Sequence, residues 1–370
     1  MQKKQVAVLD FGSSKITAVV GERGINKTFI LKGNYTFDYD GFGDGAFFNE
    51  SELQTVVSYA VESLKKTYSK KLETVYVGVP GEFTQVVVKD SQISFPKKKK
   101  ITEQDVDVLF DAAFVMQSSK FTLINRSAIV YELGDFRHVA NPVGSVSELL
   151  KGKLSFIVCS NYFIDAIKPI IKFAGVENVE FVSSCLAQSL YLVEPEVRDR
   201  IALICDVGYI TTTLMIVRGD GILFKKSFSY GGGFITAALT ERFNVEFNVA
   251  EKLKRKINLS CYTTSKDFDL IEGDNGEYYS VEEIKNTIKS SLDVLCEEIS
   301  STLENTGFSI PEYVSLMITG GGIAYLRGAK EHVSNRLNSV VEIVVPKVPL
   351  MDKPSESSIL SLLDLALEQN

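Results

Sequence analysis

The chain has 370 residues, 45% of them hydrophobic and 24% charged, which is length for two or three domains and an ordinary globular balance that argues against disorder. Its net charge of −7 argues against nucleic acid as the main partner, because a phosphate backbone needs a basic face. Five widely spaced cysteines without a CxxC pair, beside only two histidines, argue against a zinc site or a full disulfide framework.

The start, MQKKQVAVLDFG, carries basic residues but its apolar run stops at Asp10, so it does not read as a secretion signal. No window reaches the ~18 consecutive apolar residues of a spanning helix. The cytoplasm is the expected location.

In chain order, Val6–Leu9 and Ile16–Val20 read as strands around a polar turn, and Phe29–Tyr39 as a third. Glu52–Lys66 carries apolar residues at 53, 56, 57, 60, 61 and 64, which is a helical stripe. TVYVGVPG (74–81) is a short buried strand closed by a Pro-Gly turn.

Residues 82–158 differ in texture. Short strands at Thr84–Val88 and Gln92–Phe95 lead to four lysines (97–100), read as a solvated loop, and then to a helix from Glu103 to about Gln117. Thr102 and Asp105 have the spacing of a capping box. Strands at 121–132 and 153–158 complete a small α+β insertion.

A helix at Asp165–Ala174, a strand at Glu180–Val182 and a helix at Ala187–Val193 return to the larger unit. The next strand-turn-strand repeats the first. VAVLDFGSSKITAVV and ALICDVGYITTTLMI align Asp10 with Asp206, Gly12 with Gly208 and Thr17 with Thr213, which suggests two related halves. Gly231–Gly233 opens a helix with Thr236 in its first turn, and 241–310 is mostly helical around a polar hairpin or loop at Thr263–Tyr279. VSLMITGGG (314–322) is a buried strand running into glycines, with a helix from about Gly328. Ser357–Glu368 is an apolar-rich helix without lysine or arginine.

Three strand-to-glycine junctions are the main chemical signal. Tight turns bind polyphosphate through backbone N–H groups, since glycine admits close approach and positive φ. The first hairpin offers Gly12, Ser13 and Ser14 as donors, with Lys15 as a point charge. The second offers Gly208, Thr211 and Thr212 from the opposite side. Asp10 and Asp206 would face each other across the phosphates and hold Mg²⁺ through water. Gly320, Gly321 and Gly322 would let a nucleoside lie against the backbone. No GxxxxGK[ST] occurs, so a P-loop is excluded.

LDFGSSKITAVVGE resembles the first phosphate motif of the actin/Hsp70/sugar-kinase superfamily, in the form carried by the bacterial cell-division FtsA family. Residues 203–217 resemble the second phosphate motif, SLMITGGGIAYLRG the adenosine motif, and YGGGFIT the turn with Gly232 and Gly233. AEKLK (250–254) is similar to a family helix whose glutamate and lysine reach the adenosine, which implies that role for Glu251 and Lys254. TVYVGVPG…KKKKITEQDVDVLFDAA and NPVGSVSELLKGKLSFIVCS are similar to the family's inserted subdomain, and KPSESSILSLLDLALEQN to the close of its core. PilM-type pilus-assembly proteins share much of this plan.

The resemblance implies an α/β, actin-like (ribonuclease-H-like) fold of two lobes with a small α+β inserted subdomain. The first lobe would span 1–81 and 161–198, the insertion 82–160, and the second lobe 199–370 with a helical subdomain at about 240–310. It implies ATP or ADP with Mg²⁺ as cofactor. The implied partners are the C-terminal tail of FtsZ and other division proteins, with self-association into filaments. The implied place is the inner face of the membrane at the division site. A basic membrane-anchoring helix is not found here, so membrane contact is expected through a partner or a segment absent from this sequence.

Two departures bear on turnover. The second motif reads D-V-G-Y-I-T-T-T where relatives have D-x-G-G-G-T-T-D, so Tyr209 and Ile210 restrict positive φ and Thr213 replaces a carboxylate. Ser184 stands where relatives often carry glutamate. Weak ATP hydrolysis at most is expected, since acidic groups position the attacking water in hydrolysing relatives. The rival readings are a PilM-like adaptor of pilus or secretion assembly, a member that has lost nucleotide, and a sugar or acid kinase, which the missing carboxylates disfavour.

Overall fold

The computed structural model describes residues 4–25, 28–115, 118–260 and 270–369. Three antiparallel strands, β1 (Gln5–Phe11), β2 (Lys15–Arg23) and β3 (Phe29–Asp38), begin the chain. A ribbon of β4 (Phe42–Gly43) and β5 (Ala46–Phe47) leads into α1 (Glu50–Thr67), and β6 (Thr74–Val79) follows. The α1 stripe read from the sequence is buried, and the Asn49 side chain caps the helix by accepting from the Glu52 amide.

The chain then builds a separate four-stranded sheet. Its elements are β7 (Thr84–Lys100), α2 (Glu103–Ala113), β8 (Phe121–Leu133), β9 (His138–Val139) and β10 (Val146–Ser160), in the order β7-β10-β8-β9. α2 covers one face through Leu109 and Phe110, and Thr102 with Asp105 forms the expected capping box. The four lysines differ from expectation. Beyond a bulge, Lys99 and Lys100 pair with Ser147 and Val146, so one strand runs through both predicted strands and the lysine run. Lys99 also binds Asp105 at 2.9 Å. α2 ends at Ala113, short of the predicted end, and residues 116–117 lie outside the described residues.

α3 (Asn161–Phe173), β11 (Asn178–Ser183), α4 (Ser184–Leu192) and α5 (Pro195–Arg198) complete the first part. Its sheet has the order β11-β6-β1-β2-β3, with β11, β6 and β1 parallel.

A second sheet repeats that plan. It contains β12 (Ala202–Val207), β13 (Thr212–Arg218) and β14 (Gly221–Phe228) as an antiparallel trio. Next come α6 (Gly232–Phe243), α7 (Phe247–Lys256), the hairpin β15 (Leu270–Glu272) and β16 (Tyr278–Ser280), and α8 (Val281–Glu304). β17 (Leu316–Thr319), α9 (Ala329–Leu337), β18 (Val341–Ile343) and α10 (Ser357–Gln369) close the chain. The order β14-β13-β12-β17-β18 mirrors the first sheet. Register makes the repeat concrete, since Asp10 pairs with Thr17 and Asp206 with Thr213. This is the actin-like α/β arrangement. The predicted polar segment Thr263–Tyr279 ends in the β15–β16 hairpin, and residues 261–269 lie outside the described residues.

Each sheet carries its own core, one around Leu9, Ile16, Val57 and Phe163, the other around Cys205, Leu214, Leu253 and Ile288. α10 departs from the division that placed 199–370 together. Leu360, Leu362 and Leu363 pack on Val6, Val8 and Val19 of the first sheet, and Arg23 pairs with Asp364. The physical reason is the apolar face that β1 and β2 would otherwise expose. The small sheet also docks on β14. The Ser155 hydroxyl donates to the Ile222 carbonyl at 2.8 Å, and the Asp220 amide to the Ala128 carbonyl at 3.1 Å.

Candidate functional site

The ends of the two central strands meet between the sheets. Asp10 sits near the end of β1 and accepts a hydrogen bond from the Ser358 hydroxyl of α10 at 2.8 Å. Asp206, its counterpart on β12, accepts from Gln188 Nε2 of α4 at 2.8 Å. Burial raises the Asp10 carboxyl from 3.8 to about 7; Asp206 adds to the rise, while Ser358 and Lys15 oppose it. Burial also raises Asp206, against the Gln188 hydrogen bond.

Gln188 Oε1 and Ser184 Oγ are buried and have no hydrogen-bonding partner in the protein. Two carboxylates that repel each other, beside an unsatisfied amide oxygen and hydroxyl, form an oxygen-only donor set that fits a hydrated Mg²⁺. Among the described residues no group of three or more His, Cys, Asp or Glu gathers to hold a metal. Most of the ion's shell would therefore come from water and phosphate. Neither Gln188 nor Ser358 is visible as a site residue in the sequence, because no local pattern marks a partner contributed by a distant helix.

The two hairpins close in the same way. The Gly12 amide donates to the Lys15 carbonyl, and the Gly208 amide to the Thr211 carbonyl, both at 2.9 Å. A Cβ on Gly208 would stand 2.8 Å from the Thr211 carbonyl oxygen. Close approach, not positive φ, is what these turns require. Gly12, Gly208, Tyr209 and Ile210 all lie outside the left-handed region, so the expected restraint on Tyr209 and Ile210 does not arise. The hairpin tips touch, with the Ile210 amide donating to Ser13 Oγ at 2.9 Å. Ser13 is buried there, Ser14 holds the Tyr39 amide through its carbonyl, and Lys15 lies close enough to Asp10 to lower its carboxyl.

Thr211 stays at the tip, half-buried. The Thr212 hydroxyl does not face it, because it donates to the Tyr230 carbonyl at 2.5 Å. Thr213 shares a hydrogen bond with Ser227 and would meet a Cβ on Gly81 at 2.6 Å, so it packs against the start of the small sheet.

The remaining glycines join three loops back to back. The Gly232 amide donates to the Gly208 carbonyl at 3.0 Å, Gly233 to Tyr209 at 2.7 Å and Gly322 to Val207 at 2.7 Å. A Cβ on Gly232 would lie 2.3 Å from the Gly322 carbonyl oxygen, and one on Gly320 2.3 Å from Asp206 Oδ1. Gly321 faces outward, exposed.

On α7, Glu251 and Lys254 sit above this junction. Lys254 is 1% exposed, and its amine reaches the Gly232 carbonyl at 2.8 Å, Thr236 Oγ1 at 2.7 Å and Glu251 at 2.6 Å. Burial disfavours the charged Glu251, but hydrogen bonds from Lys254 and Thr236 outweigh it and hold the carboxyl below its usual value. The rings of Tyr209 and Tyr325 each lie 5.8 Å from the Lys254 amine. The structure therefore brings all three glycine junctions and the Glu251–Lys254 pair together, and turns the hydroxyls of Thr212 and Thr213 elsewhere.

Known proteins match this architecture. The family described as Cell division protein FtsA matches residues 203–362. Cell division protein FtsA of Streptococcus pneumoniae serotype 2 is 22% identical over 370 residues, covering 97% of this chain and 79% of that protein. FtsA of Staphylococcus epidermidis is 18% identical over 374 residues, covering 99% and 80%. Among solved structures, the PilM-PilN type IV pilus biogenesis complex superposes with a TM-score of 0.65 at 18% identity, covering 99% of each chain. MreB 5 of Spiroplasma citri bound to AMPPNP superposes with a TM-score of 0.58 at 15% identity, over 100% of this chain and 97% of that one. The resemblance to FtsA read from the sequence is borne out, and the fold is actin-like. Among the described residues no helix is long and apolar enough to cross a membrane.

Proposed function

We propose that this chain is an FtsA-type scaffold of cell division, which links FtsZ to the membrane-associated division machinery and holds ATP or ADP with Mg²⁺ between its lobes. The observation that carries this reading is the alignment of nearly the whole chain, insertion included, with curated FtsA proteins. The AMPPNP bound by MreB 5 of Spiroplasma citri supports a nucleotide in the equivalent cleft.

In this reading Asp10 and Asp206 orient the water shell of the cation, Lys15 carries a charge to the phosphates, and the Ser13, Ser14 and Thr211 turns frame them. Bound Mg²⁺ would offset the burial that raises both carboxyls, and the repulsion that adds to the rise at Asp10. Gly320 to Gly322, Gly232 and Gly233 lie at the nucleoside end with Glu251 and Lys254. Ser184 supplies no carboxylate to position water, and residue 213 faces Gly81 and Ser227 instead, which supports holding the nucleotide over hydrolysing it. The division at residues 82 to 160 would present the small sheet as a docking and assembly module.

A PilM-like adaptor that binds a short cytoplasmic peptide is the second reading, favoured by the likeness to the PilM-PilN complex. Titration with ATP and ADP in the presence of Mg²⁺, with Asp10→Ala as control, tests the nucleotide site. Saturable heat in the wild type that the substitution abolishes is expected. Its absence at millimolar nucleotide contradicts the reading.

A further inference from the structure

At the tips of the paired hairpins, Tyr209 occupies the position that Ser13 holds in the first. The two side chains behave differently. Ser13 stays in the contact between hairpins, whereas the Tyr209 ring turns away toward α7. It lies edge-on to Phe247, with centroids 6.3 Å apart, and its Cε1 would be 3.1 Å from a Cβ on Gly233. Its hydroxyl lies within reach of Thr236 and the charge of Glu251. Together with Tyr325 it covers the Lys254 amine, leaving that residue 1% exposed.

A ligand that is to touch Lys254 must first move a ring. Resting on the reading of Glu251 and Lys254 as the nucleoside end of the cleft, we propose that Tyr209 is a built-in cover on that subsite, packed where a purine nucleoside would contact the pair. The cover competes with the ligand, since the ring's contacts with Phe247, Gly233 and Lys254 are lost when the nucleoside enters. Tyr209 is on this account a specificity-determining residue that lowers affinity for nucleotide, and relatives with glycine at this turn lack the restraint.

The test is calorimetric titration of Mg²⁺ and ADP into the full chain, its Tyr209→Ser variant and its Tyr209→Phe variant. Freed of the ring, the serine variant binds more tightly by about tenfold, the scale set by displacing one aromatic contact. The phenylalanine variant, which keeps the ring, stays near the wild type. Acetylation of Lys254 by acetic anhydride, read by mass spectrometry without nucleotide, rises in the serine variant only. Tyr209→Leu replaces it if the serine variant does not fold. Equal or weaker binding by the serine variant, with the wild type still binding, overturns the cover and leaves the nucleotide site standing. No binding by any variant, with Lys254 newly reactive, overturns the nucleoside reading itself.

Discussion

The Ser358 hydroxyl donates to the Asp10 carboxylate at 2.8 Å, across 348 positions of sequence. Through this bond the last helix reads the charge state of the first strand. The Asp10 carboxyl is raised to about 7, so the folded protein holds that proton better than the unfolded chain does. Its contribution to stability is then full below the ordinary carboxylate value and is lost as pH climbs to about 7. Asp206, raised in the same direction, adds to the trend. In the nucleotide-free protein, Asp10→Asn should melt above the wild type at pH 8, and the gap should be narrower at pH 5. Thermal unfolding at the two pH values checks this.

Lys225 makes a second long-range connection. Its amine donates to the Thr84 carbonyl at 2.6 Å and to the Gly81 carbonyl, tying β14 to the entry of the small sheet. Burial lowers its pKa, with the nearby Cys185 and Glu82 opposing. Lys225→Met keeps the length but takes a charged donor from both carbonyls, of which Gly81 keeps the Thr84 hydroxyl. The expected cost is about 2–3 kcal/mol, measured by urea unfolding. Proteolysis should also cut first near residues 81 to 84, where the sheet has been released.

Two glycines of the cleft separate a packing requirement from an incidental one. A Cβ on Gly232 would lie 2.3 Å from the Gly322 carbonyl oxygen, backbone against backbone, whereas one on Gly321 would meet Ser355 Cβ at 3.3 Å. Gly232→Ala should therefore destabilise by more than about 2 kcal/mol. Gly321→Ala should stay within about 1 kcal/mol of the wild type. Denaturant midpoints of the two variants give the comparison.

Thr213 offers a test of turnover. Restoring the carboxylate of relatives by Thr213→Asp would not position water, because residue 213 is 7% exposed and packed on Gly81 and Ser227. The variant should lose stability, as a larger, charged group is forced into a buried and closely packed place, and its phosphate release should not exceed that of the wild type.

The local grammar of this fold was legible in the sequence. The Asp and Gly offsets of the two hairpins, the α1 stripe and the Thr102–Asp105 cap all depend on residues a few positions apart. What escaped depends on partners far along the chain. Lys99 and Lys100 become strand because residues 146–147 supply the pairing, and the apolar face of α10 says that it is buried without saying on which sheet. The same holds at the site, where Gln188 and Ser358 arrive from separate helices to meet Asp206 and Asp10. Thr212 shows the converse, a residue of fitting type and place whose hydroxyl is taken by a carbonyl of the next strand's end.

The division role rests most directly on FtsZ. Co-pelleting of the full chain with polymers of FtsZ from the same organism, and with FtsZ lacking its C-terminal tail, is the deciding measurement. The account predicts saturable pelleting with intact FtsZ that disappears when the tail is removed. Failure to pellet with intact FtsZ, together with tight binding of a PilN-type N-terminal peptide, would contradict it.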